Sequence, residues 1–356
     1  MHPRRRAVKR ALVALLCLAL AAAGVFGALR IITLLSTTAG DYRFALRDDG
    51  TARIMSYTGG ATSLDIPTEL KGHAVSGIGA RAFDWRFRLK RVSVPEGVTD
   101  IGEGAFSGCY ALADIALPRG LRAIDSQAFA GCRALTGVAL PEGLEALGDR
   151  VFDQCTALTD IALPDSAASI GANPFSRCRS LSNVTVSPDH PSLAAEDGML
   201  FDRTDGRLIW CACARASGEL TLPEWVSVVG DSAFYGCDRL TDIALHDGVR
   251  EIRDHAFYGC TRLTGVVIPE GVSAIGNAAF SGCHSLTSAV IPDSVTGIGY
   301  LAFYDCVSLT DLYLPGSVAA IGNGAFIGCK SLTLHVREGS FAERYCRSNG
   351  LKYICD

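Results

Sequence analysis

Nine cysteines recur at a fixed step, and cysteine is a residue that does chemistry. Cys109, Cys132, Cys155 and Cys178 follow one another at a constant step of 23, as do Cys237, Cys260, Cys283, Cys306 and Cys329. Such a column could form disulfides, bind a soft metal or supply nucleophilic thiolates. Its spacing argues against all three. Equivalent residues of stacked units lie about 4.8 Å apart with parallel side chains, whereas a disulfide needs converging Cβ atoms about 3.8 Å apart. Nine is odd, and a linear ladder offers no tetrahedral metal cluster. The column therefore reads as small buried side chains filling a tight corner. Cys211 and Cys213 in "LIWCACA" share one face of an expected hairpin strand and lack the Cys-x-x-Cys spacing of a redox site. Cys346 and Cys355 near the C-terminus read as packing residues, with a disulfide as the alternative. The seven histidines (2, 73, 190, 246, 255, 284 and 335) occupy unrelated repeat positions. The chain has no nucleophile elbow, phosphate loop or catalytic carboxylate pair, so the reading is a non-enzyme with no cofactor and no metal.

The elements that position these cysteines repeat with them. One unit reads "PEGVTDIGEGAFSGCYALADIAL" (95–117) and the next "PRGLRAIDSQAFAGCRALTGVAL" (118–140). Phenylalanine stands three residues before each cysteine, at Phe106, Phe129, Phe152, Phe175, Phe234, Phe257, Phe280, Phe303 and Phe326. The L-x-x-I-x-L portion alternates like a short strand that the following proline ends. A second short extended piece, "TDIG", leads into a helical turn around "AFSGC". The glycine column 102, 148, 171, 230, 276, 299, 322 is expected to mark a bend with an unusual backbone angle. One unit cannot bury its own apolar face, so the expected fold is a repeat solenoid. It is a leucine-rich-repeat stack with a parallel strand ladder, short second strands and helical turns. "YRFALRDDGTARIMSYTG" predicts an N-terminal hairpin cap, and "GSFAERYCRSNGLKYICD" a C-terminal helix-strand cap.

The pattern P-x-x-V-x-x-I-G-x-x-A-F-x-G-C-x-x-L-x-x-I-x-L resembles the BspA-like bacterial leucine-rich repeat family (23-residue repeats), over about residues 60–338. That resemblance implies cell-surface or secreted proteins, some acting in adhesion, and no catalytic residues. Segment 187–222 resembles the family's hairpin insertion, with "CACARASG" in place of the usual Pro-Ala-Gly turn. The expected organisation is a basic cytoplasmic segment 1–10, a signal anchor 11–35, a linker and cap 36–60, and repeats 61–186. The insertion 187–222, repeats 223–338 and the C-terminal cap 339–356 follow.

Composition supports an exported binding protein. Positions 1–40 hold six basic and no acidic side chains. Beyond them 27 basic side chains face 37 acidic ones, a net charge of −10. An acidic body excludes nucleic acid as the expected partner. Positions 11–29 carry no charge, and a helix of that length spans roughly 28 Å against a bilayer core of about 30 Å. Basic residues before this run keep the N-terminus in the cytoplasm. The reading is a single-pass membrane protein with an extracellular repeat domain. The alternative is a secreted protein whose signal peptide is cut after Ala21 and Ala23.

Three exposed columns are candidates for a macromolecular ligand, protein or glycan. The residue after the strand proline is mostly acidic (Glu96, Glu142, Asp165, Glu224, Glu270, Asp293), which suits a solvated turn or a divalent cation. Exposed strand positions are small and mildly acidic, ending in Asp311 and Tyr313. Tyr235, Tyr258 and Tyr304 follow the column phenylalanine, where tyrosine suits protein or sugar contacts. The expected role is an adhesin or surface receptor; a structural envelope spacer without a dedicated ligand is the competing class.

Overall fold

The computed structural model describes residues 36–213 and 218–355. The expected anchor at 11–35 lies outside the described residues. Among these, no helix is long and apolar enough to cross a membrane.

The units stack into a solenoid of parallel strands. Each "TDIG" piece contributes a two-residue strand, such as Asp100–Ile101, Ala123–Ile124 and Ala146–Leu147, paired in parallel with the next unit. These pieces build the longest sheets, of nine and eight strands. The L-x-x-I-x-L strands, such as Asp114–Ala116 and Asp160–Leu163, pair only in groups of two or three. The "AFSGC" segments form successive turns with i to i+3 hydrogen bonds, as from Cys109 N to Phe106 O at 3.2 Å, rather than a continuous helix.

Side chains from every turn fill the axis. Phenylalanines from Phe83 to Phe175 stack with centroids 5.0–5.9 Å apart and interplanar angles of 5–14°. Phe234 to Phe326 form a second run at 4.9–5.9 Å. Burying such a ring removes about 150–250 Å² from water, so this column dominates the core energetics. Tyr57 closes one end, 5.4 Å from Phe83, and Tyr345 meets Phe326 edge-on at the other.

The glycine column corrects the expectation of an unusual backbone angle. Gly102, Gly148, Gly299 and their equivalents do not have positive φ. A Cβ at Gly148 would lie 2.4 Å from Ser126 N, and one at Gly322 would lie 2.3 Å from Tyr300 N. These glycines let adjacent backbones touch. Positive φ falls instead on the glycine before each cysteine, Gly108 at 71° for example, where Gln154, Arg177 and Asp305 adopt the same region at 57–59°.

At the N-terminus β1 (Thr37–Ala39), β2 (Tyr42–Leu46) and β3 (Ala52–Tyr57) form an antiparallel cap, and β3 then pairs in parallel with the first repeat strand, His73–Ile78. The insertion supplies β4 (Leu193–Glu196), β5 (Met199–Asp202) and β6 (Arg207–Cys211), three antiparallel strands rather than a two-stranded hairpin. β6 pairs in parallel with Val228–Val229 and so joins the insertion to the second long sheet, of which β4 is the edge. Insertion residues divide between the two cores. Leu200, Ile209 and Trp210 join the core of the first stack; Phe201, Leu208 and Cys211 join that of the second. The C-terminal helix α1 (Phe341–Asn349) starts at Ser340, whose hydroxyl accepts from Glu343 N, and ends at Gly350 with φ 65°. The final strand β7 (Tyr353–Cys355) pairs with Thr333–Val336.

Candidate functional site

The cysteine ladder is structural, and its thiols do more than fill space. Cys109 Sγ donates to the Phe83 carbonyl at 3.1 Å, Cys155 to Phe129 at 3.2 Å and Cys260 to Phe234 at 3.2 Å. Cys132, Cys178, Cys283, Cys306 and Cys329 bond the preceding phenylalanine carbonyl in the same way. Each thiol thus gives a second donor to a buried carbonyl that already accepts a backbone N–H within its own turn, as Phe106 O does from Cys109 N. Burial pushes the Cys109 and Cys283 thiols up to about 12, so they stay protonated and unreactive.

One rung departs from the expected free ladder. Cys237 is bonded to Cys213 of the insertion, with Cα atoms 4.4 Å apart. Neighbouring ladder cysteines run parallel, but Cys213 lies outside the column and approaches Cys237 from the turn after β6. Cys211 takes the phenylalanine position of the preceding rung: its N–H bonds Ala233 O at 3.0 Å, as Phe106 N bonds Ala128 O. The buried Cys346 keeps a free thiol, so the alternative disulfide between it and Cys355 is not formed.

The five tyrosine and aspartate positions singled out as partner-binding do not form one site. Tyr235 and Tyr258 stack at 4.7 Å and 10° beside the insertion. Tyr304 lies two rungs further on, beyond Ser281, and is 40% exposed. Asp311 and Tyr313 lie on the exposed face of Asp311–Leu314, paired with Thr333–Val336. His335 hydrogen-bonds Asp311 there and holds its carboxyl below the usual range.

The residues that the structure does bring together span the insertion. Arg177 grips the buried Asp153 carboxylate with two donors, Nε at 2.9 Å and Nη2. This bond raises the Arg177 pKa. The guanidinium carbons of Arg177 and Arg150 lie 5.6 and 5.8 Å from the Tyr235 ring centroid. Arg150 also donates to Ser232 Oγ at 3.0 Å, and Asn173 Nδ2 to the Ser232 carbonyl. Burial raises the Tyr235 hydroxyl pKa.

Three clefts lie along this junction, and the first two share a wall. The first, about 560 Å³, is lined by Arg179, Cys213, Gly236, Asp238, Arg239, Thr261 and Arg262. The second, about 100 Å³, shares Arg179, Cys213 and Gly236 with it and adds Phe175, Trp210, Tyr235 and Tyr258. A third, about 650 Å³, contains Asp149, Arg150, Arg207, Asp231, Arg253 and His255. Two of its arginines are ion-paired within it, Arg207 with Asp205 at 3.1 Å and Arg253 with Asp231 at 4.0 Å. Burial lowers the His255 pKa, with Arg150 adding to the effect. Among the described residues no group of three His, Cys, Asp or Glu is placed to hold a metal ion. The arginines were not visible as a group in the sequence because their positions after the cysteines differ. Arg179 follows its column cysteine by one residue, Arg239 and Arg262 by two.

The family described as BspA type Leucine rich repeat region matches residues 76–195 and 211–333, in six copies. The chain belongs to this family. Among solved structures, this BspA-type chain is similar to a leucine rich cell surface protein from Faecalibacterium prausnitzii. The two share 29% identity over 87% of this chain and 96% of that one, with a TM-score of 0.65. A leucine-rich repeat protein from Eubacterium ventriosum is 20% identical over 82% and 93% of the two chains, TM-score 0.59. The pneumococcal vaccine antigen PcpA is 18% identical over 90% and 98%, TM-score 0.57. These last two speak to the fold alone. No curated protein matches the chain.

Proposed function

We propose that the protein is a membrane-anchored, outward-facing binding protein of adhesin or surface-receptor type, which engages a macromolecular ligand, protein or glycan, at the insertion junction. The observation that carries this reading is two adjoining clefts that share Arg179, Cys213 and Gly236, with a stacked tyrosine pair and a group of arginines, where the insertion interrupts the stack. A regular solenoid presents the same small side chains at every rung; a break in the repeat gathers side chains from two stacks around one concavity. Membership of a bacterial surface-repeat family and similarity to a cell surface protein support the outward orientation. The basic, then apolar, N-terminus supplies the anchor, with residues 11–35 crossing the membrane.

Two measurements test the proposal. Protease added to intact cells should remove the repeat region, and protection until lysis would overturn the topology. The full chain in nonionic detergent, applied to protein and glycan arrays, should find a saturable ligand whose binding falls when Tyr235 and Tyr258 are changed to serine. Binding unchanged in that variant would move the site elsewhere.

A further inference from the structure

We propose that the cleft between Arg179, Arg239 and Arg262 binds an acidic sugar unit, carboxylated or sulfated, of a glycan; this deepens the proposed binding role and rests on it. The three guanidinium groups come from three rungs and line one cavity of about 560 Å³. That volume lies within the range of about 300–1,000 Å³ usual for small-ligand sites. None of the three makes an ion pair among the described residues, and Asp238, also on the wall, pairs with none of them. Other junction arginines are committed, Arg177 to Asp153, Arg207 to Asp202 and Asp205, and Arg253 to Glu251. A local surplus of two positive charges on a body of net charge −10 costs self-repulsion within the cleft, and an anion relieves it.

The walls narrow the ligand class. Guanidinium forks match the two oxygens of a carboxylate or sulfate. The adjoining cleft contributes the Tyr235–Tyr258 pair, a flat amphipathic surface against which the C–H face of a sugar packs while its hydroxyls reach water. An acidic peptide fits less well. Same-face side chains on an extended strand are about 6.7 Å apart, whereas the adjoining rungs that carry Arg239 and Arg262 repeat at about 4.8 Å. The body's net charge disfavours nucleic acid. The Cys213–Cys237 bond fixes the wall between the arginines of the two stacks.

The test is calorimetric titration of the full chain, in nonionic detergent, with four probes. These are a sulfated heparin tetrasaccharide, a galacturonic acid tetrasaccharide, neutral maltotetraose and a tetraglutamate peptide. At least one acidic saccharide should bind, and the two acidic arms tell sulfate from carboxylate. Each single Arg→Ala change at 179, 239 or 262 should weaken binding about two- to fivefold, the range for partly exposed charge pairs. The triple change should weaken it more than tenfold, and added salt should weaken the wild type. Arg91→Ala, at an exposed pair with Asp114 on the strand face, should leave affinity unchanged. The inference is overturned if no acidic saccharide binds, if maltotetraose binds equally, if only the peptide binds, or if the triple variant binds like wild type. A saturable array ligand that is not an acidic glycan would leave the binding role standing while refuting this inference.

Discussion

The Cys213–Cys237 bond makes a quantitative prediction. It closes a loop with a sequence separation of 24, from the turn after β6 to the first full rung of the second stack. Confining a loop of that length removes chain entropy from the unfolded state worth about 3.5 kcal/mol at 25 °C. Reduction, or Cys213→Ala, should therefore destabilise the second stack by about that amount. Cys213→Ala is the cleaner perturbation, because it leaves Cys237 as a buried thiol in register with its ladder neighbours. Denaturant unfolding followed by the Trp210 and Trp225 fluorescence of this region reads the loss. Alkylation under denaturing conditions and mass spectrometry read the bond itself: two more cysteines, Cys213 and Cys237, should be modified after reduction than before it. Modification of both in protein purified without reductant, or equal stability of oxidised and reduced forms, would refute the reasoning.

Other expectations follow from the core and the junction. Phe257→Ala removes a fully buried ring stacked at 4.9 and 5.1 Å on its neighbours and should cost about 3–5 kcal/mol in chemical denaturation. Phe326→Ala, which loses one stacked neighbour, should cost less; equal losses would argue against a continuous stack. Gly299→Ala drives a Cβ to 2.6 Å from Asn277 N and should cost about 1–3 kcal/mol, while Gly137→Ala, with nothing within 4 Å, should be neutral. A neutral Gly299→Ala would refute the close-approach account. His255 has a folded pKa below the ordinary value of about 6.5, so the unfolded chain takes up its proton first as pH falls. Stability should be full above about pH 6.5 and decline below it. His255→Gln should flatten the melting-temperature profile between about pH 7 and 5, and an unchanged slope would remove His255 as the cause.

The stack was legible because its contacts are between nearest neighbours at a constant step. Phe106 meets Phe129 because both sit at the same place in adjoining units, and any contact of that kind is written in the period. The glycine column was legible as a position but not as a cause: glycine answers both a positive φ and a close backbone approach, and Gly148 serves the second. The junction was not legible. Arg150 and Ser232 hold the same repeat position 82 apart, two periods of 23 plus the 36 residues of segment 187–222, so their contact is not one between adjoining units. Their contact depends on how β4, β5 and β6 divide their side chains between two cores. The Cys213–Cys237 bond escaped for the same reason, since a test of the column against itself could not find a partner outside it. Tyr304, Asp311 and Tyr313 are exposed and lie away from the half-buried Tyr235, because composition at a column position says nothing of what stands beside it.

The thiol-to-carbonyl bond of the ladder has a consequence for how such a chain changes length. Each cysteine completes the turn of the unit before it, and each phenylalanine N–H reaches forward to the unit after it, as from Phe106 N to Ala128 O at 2.7 Å. Every unit therefore carries one half of two identical joints. A duplicated or deleted block one full period long meets a matching half on both sides, so whole-unit copying during replication yields a foldable protein without compensating change. A gain or loss of any other length must bring its own joint, as the insertion does with a strand trio and a disulfide. Gene-length variation in this lineage should accordingly fall in whole periods outside the junction, which comparison of strains can count.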